Sequence, residues 1–182
     1  MDELIDILDM DGNLTGETVM KSVAHRKGLF HQTIHVWFYT KNGDILIQQR
    51  GKNKTIHPLL WDVSVAGHIG AGEAIEISAL REVEEEIGLI ISQNELQKIG
   101  IFKSFQKHSD TLIDYEFHHT FIVEFKVPLK DLTKKDSEIK RLDIIPINLL
   151  KKIIQNQKTT NKFAPHGSAY YNTITETILS KL

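Results

Sequence analysis

Residues 67–89 place an arginine and several glutamates at set intervals behind a glycine-rich loop. The stretch reads Gly67-His68-Ile69-Gly70-Ala71-Gly72-Glu73, then Ala74 to Leu80, then Arg81-Glu82-Val83-Glu84-Glu85-Glu86-Ile87-Gly88-Leu89. The glycines allow backbone to approach a ligand closely. The spacing over 74–88 predicts a helix that Gly88 ends as a left-handed cap. On an ideal helical wheel Ile77, Leu80, Val83 and Ile87 share one arc, which predicts the buried stripe. Glu82, Glu85 and Glu86 fall on the other side as i, i+3 and i+4 neighbours. Glu84 projects near the apolar edge and is given no role.

Like charges at that spacing oppose one another by roughly 0.2–0.5 kcal/mol per pair. The arrangement makes sense if cations sit among the carboxylates, since oxygen ligands are what Mg²⁺ prefers. Glu82, Glu85 and Glu86 are therefore the candidate metal ligands and, with Arg81, the candidate catalytic set. Arg81 can reach Glu85 or Glu73 and fix a carboxylate's orientation. A bare Glu-rich helix face is ordinarily solvated surface. Here the carboxylates sit in a longer run with Gly67, Glu73, Arg81, Val83, Gly88 and Leu89 at set spacings, whose weight comes from the resemblance given below.

Signals for a substrate are thinner. Arg50, Lys52 and Lys54 border the loop leading to Trp61 and could meet phosphate. Trp37, Trp61 and Phe163 are candidate stacking surfaces, although aromatics so placed often serve the core.

The 182 residues suit one domain with a substantial core, spanning 1–182. Net charge is −2, from 22 basic and 24 acidic side chains, so no general field favours nucleic acid or an anionic membrane. A phosphate-bearing ligand must then be held by local groups or metal ions. There are no cysteines, which removes disulfides, thiolate metal sites and cysteine nucleophiles. The acidic N-terminus lacks the basic flank of a secretory signal, and no apolar run nears the roughly 20 residues that span a bilayer. The expectation is a cytoplasmic protein.

The elements that must position the motif can be read in outline. Asp11-Gly12-Asn13 predicts an N-terminal hairpin. Ile34 to Tyr39 and Ile45 to Gln49 read as antiparallel strands around an Asn42-Gly43 turn. Gly51 to Pro58 reads as a loop and Trp61 to Ala66 as one strand. Phe102 to Lys107 and Phe117 to Phe125 read as further strands, and Thr133 to Arg141 as a charged loop. Pro146 opens a helix carrying Leu149, Leu150, Ile153 and Ile154. After Phe163-Ala164-Pro165-His166-Gly167, an amphipathic helix closes the chain, and it could serve a homodimer. Strands interspersed with a few helices imply an α/β sandwich.

The pattern from Gly67 to Leu89 resembles the Nudix box, with every fixed position filled, and the surrounding strand order resembles the Nudix fold. That resemblance implies a mixed β-sheet sandwiched between α-helices. It implies Mg²⁺ or Mn²⁺ on Glu82, Glu85 and Glu86 with the Gly67 carbonyl as a further ligand. It also implies a small-molecule diphosphate substrate, cleaved by water attack on phosphorus. Glu85 or Glu86 would orient or deprotonate that water. Glu138 is a further candidate base, since the base varies in position across the family.

A narrower resemblance lies outside the box. His25 to His31, His35-Val36-Trp37 and His57 to His68 look like the branch related to type 1 isopentenyl-diphosphate isomerase. Those isomerases hold a second metal with histidines and acidic groups, and the matching positions here are His25, His31, His68, Asp114 and Glu116. Mixed ligation of that kind suits Mn²⁺ or Zn²⁺. His118 and His119 follow the acidic pair, and strand alternation sends them to opposite faces; neither is assigned. The isomerase's catalytic cysteine is replaced by Ala66, so hydrolysis of a nucleoside di- or triphosphate or related diphosphate metabolite is favoured over isomerisation. A non-catalytic ligand sensor is the other alternative; loss of a box glutamate would be its sign, and none is lost.

Overall fold

The computed structural model describes residues 2–156 and 158–182. Among these residues, nine strands form one mixed sheet, antiparallel in every pairing but one, flanked by four α-helices. In chain order these are β1 (Leu4–Leu8), β2 (Leu14–Met20), α1 (Lys21–Lys27), β3 (Phe30–Tyr39), β4 (Asp44–Arg50), β5 (Trp61–Asp62), β6 (Val65–His68), α2 (Ile75–Ile87), β7 (Gln97–Ser109), β8 (Leu112–Glu124), β9 (Ile139–Pro146), α3 (Ile147–Gln155) and α4 (Ser168–Leu179). Short 3₁₀ turns occupy Gln93–Glu95, Leu129–Asp131 and Thr160–Lys162. No described helix is long and apolar enough to cross a membrane.

β3 organises the sheet. Along one edge it runs parallel to β8, from His31 opposite Glu116 to Tyr39 opposite Glu124. Its other edge is shared in succession by β1, β6 and β4, all antiparallel. Alternation along β3 then divides its side chains by face. Ile34, Val36 and Phe38 pack with Val83 and Ile87 of α2, while Trp37 and Tyr39 pack with Leu150 of α3 and Tyr170 and Ile174 of α4. The same alternation puts His31, Thr33 and His35 on the Trp37 side, where a polar site replaces the apolar core.

Several expectations hold with shifted bounds. The hairpin at Asp11-Gly12-Asn13 joins β1 to β2, and the Asn42-Gly43 turn joins β3 to β4. The expected strand over Trp61 to Ala66 is two strands. β5 pairs with β4 and β6 pairs with β3, because the chain crosses between them at Val63-Ser64. Buried Ser64 binds both neighbours there: its hydroxyl accepts from the Phe38 N–H and donates to the Leu46 carbonyl. The charged stretch before Pro146 holds β9, paired along β4 from Asp44 to Arg50. α1 was not expected at all.

The expected helix over 74–88 is α2, ended by Gly88 at φ 66° with its N–H donating to the Glu84 carbonyl. Its buried face differs from the wheel reading. Ala79, Val83, Glu86 and Ile87 are inside, whereas Ile77 is half exposed. The helix is rotated so that small Ala79 lies against the sheet, and the rotation carries Glu86 inward with it.

Candidate active site

α2 and β6 together build the carboxylate cluster. A Cβ on Gly67 would lie 2.1 Å from the Glu82 Cδ, so only glycine lets that carboxylate lie against the strand. The Arg81 guanidinium ties the parts together. Its Nε and Nη2 donate to the two oxygens of Glu73 at 2.9 Å each, Nη1 donates to Glu82 at 2.7 Å, and Nη2 also reaches the His68 carbonyl at 3.2 Å. These charge-assisted bonds fix the glycine loop on the helix, and the Arg81 bond holds the Glu73 carboxyl down at about 2. Glu85 lies 3.7 Å from Arg81 and 3.6 Å from Lys135.

Glu86 has a different setting. It is 2% exposed and among the described residues accepts only long hydrogen bonds, from Gln48 Nε2 at 3.2 Å and the Ala66 N–H at 3.3 Å. Burial, then the charge of Glu82, push its carboxyl up to about 8. Burial raises Glu82 as well. A buried carboxylate next to a half-buried one, beside a backbone that a side chain would block, fits a divalent cation, which would take the proton's place.

A second cluster lies next to the first. One ligand atom from each of His25, His31, His68 and Glu116 falls within 4.8 Å of the others. Glu116 lies 3.4 Å from His31 and 3.7 Å from His68, while Asp114 lies 3.6 Å from His25. The register accounts for this, since His31 faces Glu116 and Thr33 faces His68 across β3. His31 Nε2 and Asp114 Oδ1 are buried with no hydrogen-bond partner among the described residues. Burial, with the charge of His31, lowers His25 to about 4. Burial and the neighbouring Glu116 raise Asp114 to about 7.

Both clusters border one cavity of about 560 Å³. Its basic side carries Arg50, Lys54 and Lys135. Arg50 is already engaged, donating to Asp62 at 2.8 Å and to the Ile56 carbonyl at 3.1 Å. Lys54 and Lys135 both approach Glu138 at 2.6 Å. Burial would raise the Glu138 carboxyl, but those hydrogen bonds outweigh it and hold it down at about 2.

The structure does not bring every candidate here. Lys52 is exposed and away from the cavity lining, and Trp61 packs against the apolar core with Arg141 over its ring at 5.3 Å. Trp37 and Phe163 are buried in that same core and offer no stacking surface. His118 and His119 do part, His118 joining the cavity face through Thr33 and His119 lining a separate hollow with Phe117 and Ile101. Sequence reasoning missed Lys135, Gln48, Asp62 and His166. Only Asp62 and His166 carried a signal, as polar groups flanking aromatic stretches.

The NUDIX domain family matches residues 29–166. An uncharacterized Nudix hydrolase of Clostridium acetobutylicum is 32% identical, with 98% of each chain covered. An isopentenyl-diphosphate Delta-isomerase of Photorhabdus laumondii is 31% identical over 82% of each chain. Among solved structures, a Deinococcus radiodurans protein superimposes with a TM-score of 0.67 at 19% identity, covering 84% of this chain and 89% of that one.

Proposed function

The chain belongs to the NUDIX family of hydrolases, and from that premise we propose a Mg²⁺- or Mn²⁺-dependent pyrophosphohydrolase whose substrate is a nucleoside di- or triphosphate or a related diphosphate metabolite. The observation that carries the reading is the carboxylate cluster of Glu82, Glu85 and Glu86 at the cavity edge, with Glu82 pinned by Arg81 against Gly67 and Glu86 buried behind it. A divalent ion on those carboxylates and the Gly67 carbonyl would neutralise charge on the phosphoryl oxygens and acidify a water. Lys54 and Lys135, across the cavity, hold phosphate oxygens by charge-assisted hydrogen bonds. Glu85 or Glu86 orients the attacking water or takes its proton. Glu138, clamped by the two lysines, serves better to place them than to act as base. The set His25, His31, His68, Asp114 and Glu116 is assigned a second ion, for which its unpartnered His31 nitrogen and Asp114 oxygen are suited.

Glu86→Gln should abolish Mg²⁺-dependent release of phosphate or pyrophosphate while the far-ultraviolet circular dichroism spectrum stays unchanged. Undiminished turnover would remove this cluster as the active site. The substrate class follows from a hydrolysis screen over nucleoside diphosphates and triphosphates, sugar nucleotides, dinucleoside polyphosphates and isoprenoid diphosphates.

Isomerisation is a second reading, favoured by the isomerase relative and the histidine cluster. Ala66 stands where the isomerases carry their thiol, and a methyl group moves no proton. Isopentenyl diphosphate incubated with the protein should therefore give no allylic isomer; its appearance would reverse the order of the two readings.

A further inference from the structure

Three histidines stand outside the groups used so far. His35 comes from β3, His118 from β8 and His166 from the segment entering α4, and one ring nitrogen of each lies within 4.8 Å of the others. Each ring is anchored by a different partner. His35 Nδ1 meets the Tyr170 hydroxyl, His118 Nδ1 meets Thr33 Oγ1 and His166 Nε2 meets Asp62 Oδ1, each at 2.7 Å. That leaves His35 Nε2, His118 Nε2 and His166 Nδ1. The last two are buried with no hydrogen-bond partner among the described residues. His118 is 3% exposed.

The anchors let each of those nitrogens present a lone pair. Asp62 can only accept, and its other oxygen takes a bond from Arg50 at 2.8 Å, so His166 Nε2 donates, and in the neutral ring Nδ1 is the lone pair. The Tyr170 hydroxyl accepts from Trp37 Nε1 at 2.8 Å and has a second lone pair for His35 Nδ1–H. Thr33 Oγ1 can accept from His118 in the same way. Buried lone pairs without donors are unfavourable, and a cation would satisfy them together.

We propose that His35, His118 and His166 form a three-imidazole site for a zinc-class divalent cation, distinct from the glutamate cluster and adjoining the set around Glu116, whose carboxylate lies 3.6 Å from His118 Nδ1. A carboxylate behind a ligating histidine is the arrangement that fixes tautomer and ring direction at zinc, and Asp62 supplies it. Three histidines with one open position is the pattern of zinc sites that act on a ligand rather than brace a fold. All-imidazole ligation selects against Mg²⁺. His35 and His166 line the cavity, so the fourth position faces the space where a phosphate oxygen or water would sit. His35 and His118 stack with centroids 4.1 Å apart and planes 18° apart, so binding one ion requires the rings to tilt until their nitrogens lie roughly 3.3 Å apart, at zinc–nitrogen lengths of about 2.0–2.1 Å.

The test uses the full chain, stripped with chelator and dialysed against Zn²⁺ alone, with bound metal measured by mass spectrometry. His166→Ala should bind one zinc equivalent fewer than the parent. His25→Ala should lose a different one, so the double variant should lose both. Asp62→Asn should keep the site but bind zinc roughly 10–100-fold more weakly. Zinc-soaked crystals of the unaltered chain should show an anomalous peak among the three rings, whatever the variants do. Unchanged stoichiometry in folded His166→Ala, or an anomalous peak only at the Glu116 cluster, would overturn the proposal. None of these readouts involves hydrolysis, so an active Glu86→Gln would leave the proposal standing.

Discussion

At Glu86 a single side chain carries two opposed demands. It must be buried to stand beside Glu82 under the sheet, yet it is a carboxyl whose charged form burial penalises. In the metal-free protein the proton stays on, with the carboxyl raised from its ordinary 4.5 to about 8. The unfolded chain releases that proton near 4.5, so between about 4.5 and 8 the native state binds more protons than the unfolded one. Stability contributed by Glu86 is therefore full below 4.5 and lost as pH rises through 8, by at most about 1.4 kcal/mol per pH unit. Denaturant titrations in chelator at pH 5 and pH 8 should show this decline, and Glu86→Gln should flatten it. An equal slope in the variant would mean the carboxyl is solvated. The motif positions were legible because a run of glutamates at i, i+3 and i+4 needs only local spacing to be seen. The inward turn of Glu86 was not, since the wheel favoured large Ile77 over small Ala79 as the inward residue.

Elements show the same division between local and distant causes. α2 was readable from its own periodicity and its Gly88 cap. α1 was not, because of its residues only Ala24 is buried and no stripe exists to detect. β9 hid in a charged run, with Lys140 and Arg141 exposed beside buried Ile139. The change of partner between β5 and β6 has no local signature whatever. An apolar-polar alternation from Trp61 to Ala66 looks the same whether the chain stays beside β4 or crosses to β3. Ser64 is where the crossing is held, so Ser64→Ala should be costly for so small a change. It deletes the side-chain acceptor of the buried Phe38 N–H and the donor to the Leu46 carbonyl, a loss of about 1–3 kcal/mol. Equilibrium urea unfolding measures it; a shift below a few tenths of a kcal/mol would show that another group takes over the pairing.

For the whole molecule, the question is how the last helix reaches a site built largely by the first two thirds of the chain. α4 closes one face of the sheet by packing Tyr170, Tyr171, Ile174 and Ile178 into the core that holds Trp37 and Ile45. Tyr170 lies at the junction of that core with the histidines, its hydroxyl bonded to both Trp37 and His35. Tyr170→Phe keeps the ring and removes only the hydroxyl, leaving two buried nitrogens short of a partner. The expected cost is about 1–3 kcal/mol for each, which lowers Tm by roughly 2–4 °C per kcal/mol in a chain of this size. With His35 as a metal ligand, the same change also frees its ring, so zinc affinity should fall along with stability. Thermal unfolding with and without Zn²⁺ separates the two effects. A lower Tm in chelator with an undiminished zinc-induced rise would make Tyr170 a purely structural residue, whereas a smaller rise would tie the terminal helix to the chemistry of the cavity.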